Sequence, residues 1–156
     1  MTTMNTSCPL LNKPKKIFGY QINKEYIPRS AVYGVLVEQG KLVCVRPQHG
    51  FLLLPGGGVE AGETLPQALI REFQEECGYR IQPVRALGQC MQYFDSTSTD
   101  LSYACTMHFY ECKLVQVDNH GEHDVVKVAL SDGKALLHQG HQWAVQGYLL
   151  QLQNHS

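Results

Sequence analysis

Three carboxylates, Glu72, Glu75 and Glu76, fall within five consecutive positions of the segment GGVEAGETLPQALIREFQEECGY, which runs from Gly57 to Tyr79. On a helix, residues three and four apart share a face, so these side chains must crowd one another. A like-charge pair such as Glu72 and Glu76 costs roughly 0.2–0.5 kcal/mol even when exposed. A hard divalent cation turns that cost into a binding site, because Mg²⁺ takes carboxylate oxygens together with substrate phosphates. The chemistry within reach is metal-assisted handling of a phosphorylated ligand. Just upstream, Leu54-Pro55-Gly56-Gly57-Gly58 reads as a strand end followed by a glycine-rich turn. Backbone without side chains can approach a phosphate or a metal closely.

The carboxylates need a helix to hold them, and its ends and apolar stripe are both visible. Thr64 followed by Gln67 reads as a capping box, with Pro66 tolerated in the first turn. Leu65, Leu69, Ile70, Phe73 and Cys77 recur at helical spacing along one arc, and Gly78 supplies a stop. Glu72 and Glu75 lie beside that arc and Glu76 at its edge. A carboxylate turned partly toward a core is costly unless paired or coordinated. Arg71, one turn before Glu75, is placed to pair with it.

The order of the fixed residues resembles the Nudix box, the signature of the Nudix hydrolases. The matching positions are Gly57, Glu63, Arg71, Glu72, Glu75, Glu76 and Gly78, with Phe73 and Tyr79 at the two apolar places. The resemblance implies an α/β fold, a Nudix-type α/β/α sandwich with a mixed β-sheet over about residues 29–156. It also implies hydrolysis of a diphosphate bond in a nucleoside diphosphate derivative. Carried over by position, Glu72, Glu75 and Glu76 would hold Mg²⁺, with Mn²⁺ as a substitute, and the Gly56 carbonyl would complete the ligand set. The general base would be a helix glutamate, Glu72 or Glu75, or Glu122 from a later loop, where some family members supply an extra ligand or base. Glu63 and Arg71 would brace the loop and helix. A proline downstream of the box marks ADP-ribose enzymes of the family, and the corresponding position here is Asp95. The compact size and the LPGGG turn look most like the members that cleave nucleoside triphosphates, by analogy alone. The expected substrate is a (deoxy)nucleoside triphosphate, cut to monophosphate and pyrophosphate. The alternatives are an ADP-ribose or nucleotide-sugar pyrophosphatase, and a silent domain that senses a nucleotide.

Elsewhere, Arg29 at the mouth of the first main strand and Arg46 at the end of the second are candidates for phosphate contact, since guanidinium suits bidentate recognition. Gly57 joins them as a substrate-binding candidate. His120 with His123, and His138 with His141, have some of the look of metal pairs, but no cysteine has matching spacing, and all four read as surface residues. Tyr93, Phe94, Tyr103 and Phe109 read chiefly as core aromatics.

The 156 residues carry a net charge of −1 and only 17% charged residues. Without a basic stripe, a mononucleotide-sized partner suits the chain better than a nucleic-acid polymer. The first residues lack a 7–15-residue apolar core and no segment approaches ~20 apolar residues, so neither membrane nor secretion is expected and a cytoplasmic location is. Six cysteines with no CxxC pair read as small buried hydrophobes. Residues 1–28 form a distinct extension: residues 1–12 are expected to be loose, and Ile17 to Ile22 to form a short strand or an arm for a homodimer. Residues 29–156 form the domain. Within it, Ala31 to Val37 and Leu42 to Val45 predict a hairpin about Gln39-Gly40, and Phe51 to Leu54 a short strand. Leu87 to Phe94 and Leu101 to Tyr110 predict an antiparallel pair, 116–124 a polar loop, and Val125 to Leu130 a strand. Ser131 to Gly133 opens a short helix, and a last helix spans Trp143 to Leu152 with Ala144, Tyr148 and Leu152 on one face.

Overall fold

A computed structural model describes residues 16–48 and 50–154. The chain runs β1 (Ile17–Phe18), β2 (Ile27–Glu38), β3 (Lys41–Arg46), β4 (Gly56–Gly58), α1 (Leu65–Cys77), β5 (Tyr79–Asp95), β6 (Ser102–Val117), β7 (Asp124–Ala129), a 3₁₀ segment (Leu130–Ala135) and α2 (Gln139–Asn154). Neighbouring strands follow the order β1-β5-β6-β2-β3-β7, with β4 also pairing β2. The sheet is mixed: β2–β6 and β1–β5 are parallel, the other pairs antiparallel.

Strand β2 is the spine, and its sequence says why. Ala31, Tyr33 and Val35 point into one buried cluster with Met107, Phe109, Ala144, Val145 and Tyr148; Val32 and Leu36 point into another with Leu69, Phe73, Cys77 and Ile81. A strand covered on both faces reads as a continuous apolar run rather than an alternation. Helix α1 covers one face and α2 the other, the layered α/β arrangement expected. Phe73 is fully buried at the centre of the α1 face, against Gly34, where a Cβ would strike its ring. Its truncation to alanine would cost about 3–5 kcal/mol, a large share of a typical domain's stability.

The hairpin between β2 and β3 turns on Gln39 and Gly40, both at positive φ, as two-residue hairpins require. Helix α1 carries the predicted capping box: Gln67 N–H donates to Thr64 Oγ1 at 3.2 Å, and Thr64 N–H to Gln67 Oε1 at 2.9 Å. Several expectations need correction. The three glycines form strand β4 against Ala31–Tyr33 rather than a turn, while Phe51 to Leu54 contributes only the single bridge Leu53–Val45. Strands β5 and β6 are longer than expected, because register shifts between Arg80 and Gly88 break the alternation that would have revealed them. The polar loop shrinks to residues 118–123, while the short helix expected at Ser131 to Gly133 is present as a 3₁₀ helix, Leu130–Ala135. Helix α2 begins at Gln139, and Leu152 and Ile70 are exposed rather than packed. The short strand at Ile17–Phe18 exists and pairs with Met91–Gln92 of its own chain. Residues 1–12 lie outside those described. The five described cysteines are free and buried. Among the described residues, no helix is long and apolar enough to cross a membrane.

Candidate active site

Arg71 organises the carboxylates. Its Nε donates to Glu63 Oε2 at 2.6 Å and its Nη2 to Glu63 Oε1 at 2.9 Å, a two-pronged contact, and Nη2 also reaches the Gly58 carbonyl at 3.0 Å. Nη1 donates to Glu72 Oε1 at 2.9 Å and to Glu75 Oε1 at 3.2 Å. One guanidinium thus ties the loop after β4, through Glu63, to two of the three helix glutamates. A planar fork with five donors can do this; a lysine could not. The Arg71 hydrogen bonds hold the Glu63 carboxyl down to about 2.

Glu76 has different partners. Its Oε1 accepts the Gly56 N–H at 2.9 Å, and its Oε2 lies 3.7 Å from His123 Nε2. Burial first, with the charges of Glu72, Glu122 and Glu75 behind it, pushes its carboxyl up to about 8 against the opposing Gly56 hydrogen bond. Burial also raises Glu72 despite Arg71. Gly57 has a steric reason to be glycine: a Cβ there would occupy the position of Glu72 Oε2. Glu122 is brought close by the end of the helix. Its N–H donates to the Glu75 carbonyl at 2.8 Å and His123 N–H to the Glu76 carbonyl at 3.1 Å, filling acceptors that a helix C-terminus leaves open. Gly121 permits this approach, since a Cβ would run into the Glu76 backbone.

Among the described residues, no three His, Cys, Asp or Glu side chains already converge as a ready-made metal sphere. The reason is local: Arg71 draws Glu72 and Glu75 toward itself, while Gly56 holds Glu76. The donor chemistry nonetheless fits a hard divalent ion. The donors are carboxylate oxygens, and burial and mutual repulsion raise two of them, a cost that a cation would relieve.

Beside β4 opens a cavity of about 480 Å³, lined among others by Arg29, Leu53, Phe94, Tyr103 and His138, within the size range of small-molecule sites. Arg29 stands where the cavity meets β4. The guanidinium lies 5.7 Å from the Tyr103 ring centroid, and Nη2 stands 3.4 Å from where a Cβ on Gly58 would be. Phe94 and His138 lie together with ring centroids 4.8 Å apart. Ser96 to Thr99 add a hydroxyl-rich rim. Arg46 is elsewhere: exposed at the end of β3, in register with Asp124, and not among the cavity residues. A larger depression, about 630 Å³, is lined by Glu25, Tyr26, Ile27, Asp100, Leu101 and Ser102 and includes neither Arg29 nor any helix glutamate.

The histidines divide. His120 is exposed as expected and His123 half-buried. His141 is not a surface residue but fully buried, and His138, like His123, is half-buried. Burial, with the Arg29 charge behind it, pushes His138 down to about 4, and burial drives His141 well below the ordinary imidazole value. Their one signal in the sequence, an i, i+3 spacing, could not distinguish a core pair from a surface pair. Gln92 was missed too; it is buried and accepts the Gly140 N–H at 2.8 Å.

Residues 26–147 match the family model of the NUDIX domain. Over 72 residues the chain is 40% identical to the ADP-ribose pyrophosphatase of Methanocaldococcus jannaschii, a match covering 41% of this chain and 43% of that protein. The chain thus spans less than half the length of this curated relative. Among solved structures, the MutT protein from Methanosarcina mazei superposes with a TM-score of 0.64 at 20% identity, covering 85% of this chain and 99% of the other. An ADP-ribose pyrophosphatase from Streptococcus suis gives 0.57 at 18% identity, covering 82% and 92%. Likeness at that identity establishes the fold.

Proposed function

The chain belongs to the Nudix family, and on that footing we propose that it hydrolyses a diphosphate bond in a nucleoside diphosphate derivative, with a (deoxy)nucleoside triphosphate, cut to monophosphate and pyrophosphate, as its best substrate. The observation that carries this reading is the junction at β4. The raised, crowded glutamates stand against two of its glycines, Glu76 on the Gly56 N–H and Glu72 over Gly57, and Arg29, which lines an aromatic cavity of nucleoside size, stands against the third, Gly58.

Glu72, Glu75 and Glu76 would hold one or more Mg²⁺ ions, with Mn²⁺ as a substitute and the Gly56 carbonyl as a further ligand. The bound cation would neutralise phosphate charge and polarise the attacked phosphorus. The chain's own residues do the rest. Arg71 and Glu63 fix the helix to the glycine strand so that the carboxylates meet the ligand in one arrangement. Arg29 is placed to take a phosphate oxygen where the cavity meets Gly58, and Gly57 leaves room for the Glu72 carboxylate beside it. Phe94, Tyr103 and neutral His138 offer flat, uncharged surfaces to a base, and the Ser96–Thr99 rim offers hydroxyls to a sugar. The general base comes from Glu72, Glu75 or Glu122. Glu75 and Glu122 are the more exposed of the three and the better able to reach a water.

The second reading, an ADP-ribose or nucleotide-sugar pyrophosphatase, is favoured by the name of the relative that is 40% identical. A panel of nucleoside triphosphates, ADP-ribose, nucleotide sugars and diadenosine polyphosphates, assayed with Mg²⁺ and with chelator, separates the two. The highest kcat/KM is expected on a triphosphate, and activity should vanish with chelator. Tenfold preference for ADP-ribose, about 1.4 kcal/mol of transition-state discrimination, would replace the first reading by the second. Binding without turnover of any panel member would indicate a sensor.

A further inference from the structure

The start of α2 is fastened to the segment that leads into the glycine strand, by contacts the carboxylate chemistry does not use. Leu137 N–H donates to the Leu52 carbonyl at 2.9 Å, and Leu54 N–H donates to His141 Nδ1 at 3.2 Å. Two residues beyond Leu54 comes Gly56, whose N–H holds Glu76 at 2.9 Å. A second route leads to the same glycine. The His141 ring packs on Tyr33 with centroids 4.2 Å apart, and Tyr33 is the partner of Gly56 in the β2–β4 pairing.

His141 is an uneconomical choice for mere packing. An imidazole nitrogen that accepts an amide proton is itself unprotonated, so the neutral ring carries its proton on Nε2. Among the described residues that buried Nε2 has no hydrogen-bond partner, a cost a leucine of similar size would avoid. What the imidazole supplies in return is the acceptor at Nδ1. His138, which lines the cavity, touches the same ring with centroids 5.0 Å apart, so His141 lies between the cavity wall and the strand carrying Gly56.

We propose that His141 is a positioning residue: by accepting the Leu54 amide it sets the course of Leu54 to Gly56, and through the Gly56 N–H it sets where the Glu76 carboxylate stands. This rests on the reading of Glu76 as a metal-holding carboxylate. The residue touches neither substrate nor cation, and its influence is carried by two backbone amides and one aromatic contact.

The test compares wild type with His141→Leu and His141→Asn, since an asparagine Oδ1 can stand in for Nδ1 as acceptor. Mn²⁺ binding is read by electron paramagnetic resonance without nucleotide, beside kcat and KM on a triphosphate. A folded His141→Leu protein should lose about tenfold in both Mn²⁺ affinity and kcat, some 1.4 kcal/mol, with KM little changed, and His141→Asn should recover most of it. Should the leucine variant fail to fold, nitrogen-15 spectra of the wild type decide: Nδ1 should be unprotonated and coupled to the Leu54 amide, and Mg²⁺ should shift the Leu54 and Gly56 signals. The proposal is overturned by wild-type Mn²⁺ affinity and kcat in folded His141→Leu, by equal impairment of both variants, or by a proton on Nδ1. A wild-type protein that binds no Mn²⁺ would instead remove the metal reading beneath it.

Discussion

The two ends of the candidate site meet the same physical problem with opposite results. Burial works against charge at both: it raises the Glu76 carboxyl to about 8 and lowers His138 to about 4. The neighbours then differ in sign. Around Glu76 stand Glu72, Glu122 and Glu75, whose charges add to the burial, so a cation would relieve the whole group. Next to His138 stands Arg29, whose charge adds to burial in keeping the imidazole neutral. One end is a carboxyl that burial and like charges keep protonated until a cation arrives, and the other a neutral wall beside a fixed cation. Together they suit a ligand that is charged at one end and flat and uncharged at the other.

Removing the anion at the deep end should have the largest effect. Glu76→Gln keeps the shape and can still accept the Gly56 N–H, so the fold should persist. The loss of a cation ligand should cut kcat by about two orders of magnitude or more, roughly 2.7 kcal/mol. Steady-state kinetics beside circular dichroism would check this. Near-normal kcat in a folded variant would mean that the two ends do not differ in the way described.

The comparison also predicts how stability responds to pH in metal-free protein. Glu76 titrates near 8 folded against an ordinary 4.5. Below the lower value both states are protonated. As pH rises between the two, the unfolded chain ionises while the folded one keeps its proton, so stability from this group is lost. For His138, near 4 folded against an ordinary 6.5, the sign reverses: its contribution is complete above 6.5 and lost as pH falls through 4. The two slopes oppose each other between 4.5 and 6.5, so thermal melts in chelator should show a broad maximum of Tm there and fall on either side. Glu76→Gln should flatten the alkaline limb alone, and Mg²⁺ should do the same in wild type by favouring the ionised form. An alkaline limb unchanged in Glu76→Gln would assign it to other groups.

The two ends also differ in how far they could be read from the residues. The glutamate end is almost wholly contained in Gly57 to Tyr79, where capping, apolar period and charge spacing are local properties of one helix, and the structure has that helix bounded at Leu65 and Cys77 as expected. The cavity is assembled from Arg29, Leu53, Phe94, Tyr103 and His138, which lie on different parts of the chain and meet only through the sheet. No local period announces such a meeting. The burial of His141 depends on Tyr33, Leu54 and Phe109 closing around it, and Gly56 to Gly58 became a strand because β2 supplied the partner. Long β5 and β6 were hidden by their own irregularities. Local chemistry could be read directly, whereas pairing at a distance had to await the fold.

At the neutral end a smaller change is expected. Phe94→Leu keeps an apolar side chain against the core and removes the flat face toward the cavity. If a base lies there, KM should rise with kcat nearly constant; losing one stacking partner costs about 1 kcal/mol, roughly fivefold. The split is the informative part. A fall in kcat without change in KM would place Phe94 on the reacting side of β4 and dissolve the division between the ends.

The smallest effect should come from Arg46. Arg29 and Arg46 are alike in sequence terms, each a guanidinium at a strand end. In the fold they part: Arg29 lines the cavity beside Gly58, while Arg46 ends β3 in register with Asp124, exposed and away from the cavity. An exposed charge of that kind is screened by salt and contributes little to stability, within about 0.5 kcal/mol either way. Arg46→Ala should therefore change kcat/KM by less than about twofold, some 0.4 kcal/mol, and leave Tm nearly where it was. A tenfold loss in a variant of unchanged Tm and unchanged Mn²⁺ affinity would show that a ligand extends over the β3–β7 edge as well, because the protein's own path from Arg46 through Asp124 and His123 to Glu76 would then be intact. It would make the site a two-sided one, and a longer ligand such as a dinucleotide would then fit better than a triphosphate.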